Sequence, residues 1–469
     1  MSLDLTRRQF LKSSAITAAA WSLSASSEAS PAPDDAANLR LAPFRFDVTP
    51  PMGHSLCGGW IQPVSGVDDP LEAIGFVLIG AGKPIVISSV DWTGLLNEAH
   101  VRWREALAEA AGTTPDRVAV QCVHQHNAPF ACLEAERIVS AQGDLPSIVS
   151  KDFYERCLDR GRDAIRRCLG DARPVSHIAR GQAKVDKVAS NRRVSRTDTG
   201  RIRKMRGSSC SDAELRALPE GLIDPWLKTV AFYDGEKKIA ACHYYATHPM
   251  SYYGDGRVSS DFAGLARKAR QRDEPDCQHV YFTGCAGNIA AGKYNDGSKP
   301  QRKILTNRVY EGLVRSEAKL ERRPVKSLTW RTVDLLPPPR ENLVADALEQ
   351  QISNKKSRVV GRSRPSYQLS WLRRFEKKTP IVLSSLQIDD VSLLHLPAEC
   401  FVEYQLRAQE LGKKVDSKRF VATAAYGDGG PWYIPVKEEY PAGGYEVSVA
   451  FCSSKVDALL SEGMTKLLS

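Results

Sequence analysis

The stretch AVQCVHQHNAP, residues 119–129, places two of the chain's nine histidines two positions apart and ends at a proline. Apolar residues precede it, so the run from Arg117 reads as a strand whose side chains alternate between two faces. An apolar stripe on one face then ends in two imidazoles, those of His124 and His126. Ligands usually bind at the carboxyl ends of strands in α/β sheets. The pair therefore indicates metal binding or catalysis, against the alternative of hydrogen-bonded core histidines.

The segments around this strand predict an α/β fold with a mixed β-sheet core and flanking helices. Residues 72–95 read as a hairpin, and an amphipathic helix is expected from Asn97 to a glycine stop at Gly112. The resulting β-α-β order requires a mixed or parallel sheet. Further hairpins are expected at 228–249 and 380–399, and the sequence shows no internal repeat.

The composition is that of a globular protein, with 42% apolar and 26% charged residues among 469. The net charge of +10 suits an anionic surface or substrate, but it is too diffuse to indicate binding to nucleic acid. Two segments are strongly basic, 191–206 and 354–378. They are either solvated surface loops or a rim that attracts an anionic membrane surface or an acidic substrate.

The amino terminus carries paired arginines in Thr-Arg-Arg-Gln-Phe-Leu-Lys, residues 6–12, followed by a short and weakly apolar run. This pattern predicts a twin-arginine export signal over 1–30, with an ordinary amphipathic helix as the alternative. A linker at 31–38 and a single catalytic domain at 39–469 would follow, in a periplasmic or extracellular protein. The eleven cysteines include no CxxC pair, and several lie in apolar runs. We therefore expect few or no disulfides and no cysteine-based metal site.

Three more candidate ligands close apolar strands in the same way. His248 follows the run from Ile239, Glu399 follows the run from Val391, and Tyr433 lies in GDGGPWYIP. Two histidines and a carboxylate from separate strands match a catalytic zinc site with an open position for water. The alternatives are a carboxylate favoured by a helix dipole at Glu399 and a packing aromatic at Tyr433.

From about residue 40 to its end, the chain resembles the catalytic domain of the neutral/alkaline ceramidase family. VHQHNAP at 123–129 resembles the family's His-Thr-His-Ser-Gly-Pro. The segment 244–264 resembles its His-Pro and Ser-Asp motifs, and 396–404 its Pro-Gly-Glu turn. WYIPVKEEYPAGGYE at 432–446 resembles its block that runs from Tyr-Ile-Thr-Thr to Tyr-Glu.

The resemblance implies a zinc amidase that cleaves ceramide, or a related N-acyl lipid, by attack of zinc-activated water. Its zinc ligands would be His124, His248, Glu399 and Tyr433. His126 would hydrogen-bond the substrate or water and protonate the leaving nitrogen, and Arg192 would contact the substrate. Asp261 and Asp91 are expected either to support the site or to be turn and cap residues.

One loop departs from the family pattern. The family's Gly-Asp-Val-Ser-Pro-Asn loop carries a serine essential to its catalysis, but here residues 287–292 read Gly-Asn-Ile-Ala-Ala-Gly, with Ala290 at that serine. Asn288, with Lys293 and Tyr294, would form a different polar pocket. Two alternatives therefore stay open: a zinc hydrolase of another bond, such as an ester or an N-acyl or glycosidic bond in a glycan, and a non-catalytic metal-bearing homologue. The chain ends soon after Tyr445, so the family's C-terminal immunoglobulin-like domain is not expected.

Overall fold

The computed structural model describes residues 25–27, by their backbone, together with 38–80 and 82–469. The predicted export signal and linker therefore fall outside the described residues, apart from 25–27 and Asn38. Within the described part, the long strands form three five-stranded sheets that are covered by helices. No helix in that part combines the length and the apolar character needed to cross a membrane.

The first sheet has the spatial order β4-β3-β2-β1-β5. Its strands are β1 Arg40–Asp47, β2 Glu72–Ile79, β3 Ile85–Val90, β4 Val118–Cys122 and β5 Arg173–Pro174. The strands pair antiparallel except for β3 and β4, which are parallel. The expected hairpin at 72–95 is thus β2 and β3.

The second sheet has the order β9-β8-β7-β6-β10. Its strands are β6 His177–Lys184, β7 Trp226–Asp234, β8 Lys237–Tyr245, β9 Gln278–Thr283 and β10 Glu321–Pro324. In the third sheet, the short strand Ala25–Ser27 lies at the edge, followed in order by β11 to β14. These four are β11 Leu328–Leu335, β12 Ile381–Ile388, β13 Val391–His395 and β14 Phe420–Ala424.

The helices of the described residues lie between these strands in sequence, except for the last two, which follow β14. They are α1 Glu98–Ala111, α2 Leu133–Ser140, α3 Lys151–Cys168, α4 Ala213–Ala217, α5 Asp261–Asp273, α6 Lys299–Glu317, α7 Ala345–Ser353, α8 Val359–Glu376, α9 Val402–Val415, α10 Tyr445–Ser448 and α11 Val456–Leu468. The helix α1 begins after Asn97 and ends at Gly112, as the sequence predicts.

The three sheets repeat one topology, although the sequence shows no repeat. In each sheet an antiparallel hairpin is followed by a helix and a parallel strand: β3-α1-β4, β8-α5-β9 and β13-α9-β14. Parallel strands point the same way, so each such pair ends at one sheet edge. His124 follows β4, His248 follows β8, Glu399 follows β13 and Tyr433 follows β14. The repeat therefore brings the predicted ligands together from all three sheets.

A shared core fixes the three sheets against one another. Ile74, Phe76 and Leu78 of β2 face this inner core, to which strands of all three sheets contribute, whereas Ala73 and Val77 face the helix-covered core. Burial on both faces explains why such strands are continuously apolar.

Buried polar side chains also bond one sheet to the next. Gln278 donates to the carbonyl of Phe44 at 2.8 Å, Gln121 to that of Ala424 at 2.9 Å, and Lys228 to that of Val421 at 2.8 Å. Each of the three pairs of sheets is joined by one of these hydrogen bonds. Buried donors of this kind are almost always hydrogen-bonded, since leaving them unpaired costs free energy of folding.

One local expectation was wrong, and another holds only in part. The strand β4 ends at Cys122, so His124 and His126 do not share its face by alternation; His124 has a left-handed backbone with φ of 75°. The basic segment 354–378 is mostly the helix α8, with Arg362 and Arg374 buried, and Arg193 of the other segment is buried as well. Neither segment is simply a solvated loop.

Candidate metal centre

Three buried side chains converge at the meeting point of the sheets. Oε2 of Glu399 lies 3.2 Å from Nε2 of His124 and 3.0 Å from Nε2 of His248. The hydroxyl of Tyr433 lies 3.5 Å from the same His248 nitrogen. Glu399 and Tyr433 are brought side by side because their short strands pair in parallel, with these two residues in register.

The other ring nitrogen of each histidine fixes its tautomer. Nδ1 of His124 lies 2.6 Å from the carbonyl oxygen of Thr93, and Nδ1 of His248 lies 2.6 Å from that of Ala286. A carbonyl only accepts, so each Nδ1 carries a proton and donates it. In the neutral imidazoles, both Nε2 lone pairs therefore point at Glu399. Histidines that bind metals are commonly held in this way by a carbonyl behind the ring.

These acceptor atoms fit a divalent metal ion. Lone pairs on two nitrogens and a carboxylate oxygen repel one another unless a cation lies between them, and Nε2 of His124 makes no hydrogen bond. Burial lowers the pKa of His248, which disfavours a protonated ring, although Glu399 offsets part of this effect. Ligands bonded to zinc at about 2.05 Å in a tetrahedron stand about 3.3 Å apart. The separations of 3.0, 3.2 and 3.5 Å bracket that value.

The backbone around these ligands is strained. His124, Ala398, Tyr426 and Trp432 all have positive φ, at 75°, 49°, 60° and 63°. Such conformations cost free energy for residues other than glycine and persist where the surrounding structure imposes them. Each of the four lies in or next to the ligand cluster, because Ala398 precedes Glu399 and Trp432 precedes Tyr433.

The cluster lies in the wall of a cavity of about 560 Å³. The residues that line it include Trp60, His124, His126, Phe130, Arg192, His248, Tyr253, Val360, Arg364, Glu399, Trp432, Tyr433 and Tyr445. The cavity is large enough for part of a small-molecule or lipid substrate.

One wall of the cavity is aromatic. The ring centroids of Trp60 and Trp432 are 5.5 Å apart, and those of Phe130 and Trp432 are 5.1 Å apart. The turn before Trp60 needs glycine at Gly58, which has φ of 71°, and a Cβ there would lie 2.4 Å from the hydroxyl of Tyr367. The wall is therefore preformed by close packing.

A guanidinium group also lies beside the ligand cluster. Arg192 is partly buried, its Nη1 lies 3.3 Å from the Tyr433 hydroxyl, and its Nε lies 3.4 Å from Glu446. These contacts hold the guanidinium beside the ligand set, where it can bind a carbonyl oxygen that gains negative charge.

His126 lies beside the ligands without joining them. Its ring centroid is 5.0 Å from that of His124 and 5.4 Å from that of Tyr253, and its Nδ1 makes no hydrogen bond. Burial lowers the pKa of His126 well below its ordinary value, and the neighbouring His124 and His248 lower it further. The ring is therefore a neutral base at pH 7, with a free nitrogen.

The structure brings His124, His126, Arg192, His248, Glu399 and Tyr433 to one cavity, but it places the other predicted residues elsewhere. The Asn288 side chain accepts from the Val402 amide at 2.9 Å and donates to Glu403 at 2.9 Å, at the start of α9. The Tyr294 hydroxyl bonds to Glu220. Neither residue lines the cavity, so the polar pocket expected around them is not formed there.

Two aspartates support the surroundings of the site from a distance. Asp261 accepts from the Ser251 amide at 3.1 Å and thereby holds the loop that follows His248. Asp91 accepts from the Glu72 amide at 3.1 Å and lies 3.4 Å from Arg267. Both act through the backbone or an ion pair and not on the cavity itself.

Sequence reasoning missed two parts of this cavity. The aromatic wall of Trp60, Phe130 and Trp432 comes from segments far apart in sequence, although Trp432 directly precedes a predicted ligand. Arg364 is one of many arginines in its segment, and no motif marks it. Only the positions of the rings and of α8 in space reveal them.

Comparison with known proteins supports the same architecture. No family model and no curated protein matches the sequence. Solved structures that are similar to the chain include a ceramidase complexed with C2 and the neutral ceramidase from Pseudomonas aeruginosa. Their TM-scores are 0.67 and 0.65, each at 16% identity over 92% of this chain and 74% of theirs. The likeness confirms the expected ceramidase-like α/β fold.

Proposed function

We propose that this protein is a zinc-dependent hydrolase that cleaves the amide bond of ceramide or of a related N-acyl lipid. The observation that carries the proposal is the convergence of the His124, His248 and Glu399 acceptor atoms in the wall of the cavity. The ceramidase-like fold supports the choice of bond. Tyr433, at 3.5 Å from His248, would be the fourth ligand.

Zinc held by these residues would lower the pKa of a water molecule to about 7 and polarise the amide carbonyl. The protein's own groups would do the rest. Neutral His126 would accept the proton of the attacking water and return it to the leaving nitrogen. Arg192, held by Tyr433 and Glu446, would bind the carbonyl oxygen as it becomes negative. Trp60, Phe130 and Trp432 would bind the acyl chain and exclude water.

The proposed mechanism does not need a serine at position 290, where this chain has alanine. Ala290 is fully buried in a two-residue strand that pairs with Ser190, and it does not line the cavity. Its loop supports the site instead, because the carbonyl of Ile289 accepts from the His248 amide at 3.0 Å. The three ligand atoms argue against the non-catalytic alternative. Burying lone pairs that repel one another costs free energy of folding, and a protein has no reason to keep such a cluster unless it has a function.

The test is fatty-acid release from ceramide, and from the corresponding ester-linked lipid, by purified zinc-loaded protein. We expect release from the amide that His124→Ala abolishes and that Ala290→Ser leaves within about threefold. Preference for the ester would move the proposal to the other bond. No release of either kind from protein that holds its metal would overturn it.

We also propose export by the twin-arginine route, on the sequence pattern of residues 6–12. Replacing both Arg7 and Arg8 with lysine should leave the protein in the cytoplasmic fraction. An unchanged distribution between cytoplasmic and exported fractions would contradict this proposal.

A further inference from the structure

Arg364 is a cation in the cavity with no anionic partner among the described residues. It lies in the second turn of α8, and its guanidinium carbon is 5.6 Å from the centre of the Trp60 ring. Its Nε is buried and makes no hydrogen bond. An arginine stacked on an aromatic face keeps its N–H groups free at the edge of the plane.

The other arginines inside α8 are all paired. Arg362 bonds to Asp144 at 2.7 Å, Arg373 lies 3.2 Å from Glu349, and Arg374 bonds to Asp428. Arg364 is the one that faces the cavity. Arg364 differs from the other arginines of α8 in its surroundings. The others lie beside carboxylates, whereas Arg364 lies beside the cavity.

The cavity itself offers Arg364 no carboxylate. Glu399 is the one acidic residue among those described around the cavity, and it is engaged by His124 and His248. Arg192 adds a second cation. Glu446, behind the lining, lies 3.4 Å from Arg192 and offsets that charge. Arg364 is therefore the guanidinium of the lining that no carboxylate among the described residues neutralises, which favours an anionic ligand over a neutral one.

Trp60 holds the guanidinium in a defined position. Its Nε1 donates to the hydroxyl of Ser363 at 2.7 Å, so the ring is bonded to the residue that precedes Arg364. The Trp432 ring packs against the Trp60 ring, with 5.5 Å between the two ring centroids. A fixed, planar fork of donors loses little freedom when it binds a carboxylate or phosphate through two parallel hydrogen bonds.

Resting on the proposed function, we propose that Arg364 forms an anion subsite, so that the N-acyl substrate carries a carboxylate or phosphate group apart from the bond that is cleaved. Ceramide has no such group. The substrate class is therefore anionic N-acyl compounds, with ceramide itself a poorer member of the range.

The experiment compares two probes that differ only in charge, N-lauroylglycine and its methyl ester. The zinc-loaded protein should cleave the acid with a kcat/KM about tenfold or more above that of the ester. Arg364→Gln should bring this ratio close to one through the KM of the acid, with the ester unchanged. Arg358→Gln removes the same charge from an exposed position before the same helix and should leave the ratio as it is.

A second probe pair, N-lauroylethanolamine and its phosphate monoester, distinguishes the two anions. In each pair, the readout is the kcat/KM of the charged probe divided by that of the neutral probe. The pair in which Arg364→Gln lowers this ratio more shows whether the subsite binds a carboxylate or a phosphate. Equal kcat/KM for charged and neutral probes in both pairs, or a preference that survives Arg364→Gln, would overturn the proposal.

Equilibrium binding decides the matter if none of the probes is hydrolysed, an outcome that counts against the proposed function. Trp60 lies in the wall, so quenching of tryptophan fluorescence reports binding. Tighter binding of the anionic probe by about tenfold, lost in Arg364→Gln and kept in Arg358→Gln, would support the subsite. Equal dissociation constants for charged and neutral probes would overturn it.

Discussion

Among the described residues, two clusters that each contain two histidines and a glutamate have opposite electrostatics. In the first, His124, His248 and Glu399 present acceptor atoms to one another, with each Nδ1 donating to a carbonyl behind it. In the second, His243 and His279 stack with ring centroids 5.3 Å apart, and Glu317 lies 3.7 Å from His279.

The second cluster already contains its cations. Arg270 bonds to Glu317 at 2.9 Å, and Lys238 bonds to the same carboxylate. The two histidines bond to each other at 2.9 Å, and Thr229 lies 2.9 Å from the remaining ring nitrogen of His243. Similar residue types thus form a neutralised structural network in one place and a set of acceptor atoms that fits a cation in the other.

The largest expected effect is on metal affinity. Glu399→Gln removes the charged ligand, so the protein should bind zinc roughly 10³-fold or more weakly and lose hydrolysis. The metal-free variant should be as stable as metal-free wild type or more stable, because the repulsion within the cluster is relieved. Calorimetric titration with zinc and chemical denaturation check the two parts. A large loss of stability in the metal-free variant would contradict this account.

The matched substitution in the second cluster should lower stability and leave zinc binding unchanged. Glu317→Gln removes the more buried of the two carboxylates that Lys238 and Arg270 share and leaves Glu274 as the other. Breaking a buried network of this kind costs up to about 3–5 kcal/mol of the free energy of unfolding. Denaturant titration measures this loss, and zinc content should equal that of wild type. Loss of zinc without loss of stability would reverse the roles that we assign to the two clusters.

Low pH should reduce the free energy of unfolding through the histidines of the second cluster. Burial lowers the pKa of His243 to about 4 and that of His279 to about 3. Because the folded-state pKa lies below the unfolded value near 6.5, stability is full above that value and falls as the pH drops toward 4. For His243 the loss is at most about 3 kcal/mol. The free energy of unfolding of metal-free His243→Gln should therefore fall less between pH 7 and 4.5 than that of metal-free wild type, and an equal slope would contradict this.

The smallest expected effect separates the two tyrosines of the first cluster. Tyr433→Phe should weaken zinc binding about 10- to 100-fold if the phenol is the fourth ligand. Tyr426→Phe is the control, because this ring stacks on His124 at 4.3 Å and its hydroxyl lies 3.4 Å from Nδ1 of His248. Its zinc affinity should change less than threefold. Equal effects of the two variants would remove Tyr433 from the ligand set.

Much of the candidate site follows from strand ends in the sequence. The runs that precede His124, His248 and Glu399 are apolar strands or lead directly from them, and Tyr433 was a candidate on the same pattern. The family resemblance alone named Arg192. The alternation argument failed at Cys122, since a left-handed residue at His124 cannot be read from a pattern of apolar residues. Asn288 and Tyr294 lie outside the cavity because Glu403 and Glu220, far away in sequence, bind them.

The fold was predictable as a class and less so as an arrangement. Hairpins and helices such as β2-β3 and α1 follow from periodicity. The threefold repetition of the sheet topology could not be predicted from the sequence. The three sheets have the same order and direction of strands, but their amino-acid sequences are not similar. Arg364 escaped notice for a related reason: what distinguishes it from Arg362 is the absence of a carboxylate among the described residues around it, which only the structure shows.

The most direct test of the central claim is anomalous X-ray diffraction at the zinc absorption edge from crystals of the zinc-loaded protein. The account predicts a strong peak among Nε2 of His124, Nε2 of His248 and Oε2 of Glu399, and no peak beside His243 and His279. A peak in the second cluster, or none in the first from crystals shown to contain zinc, would contradict it.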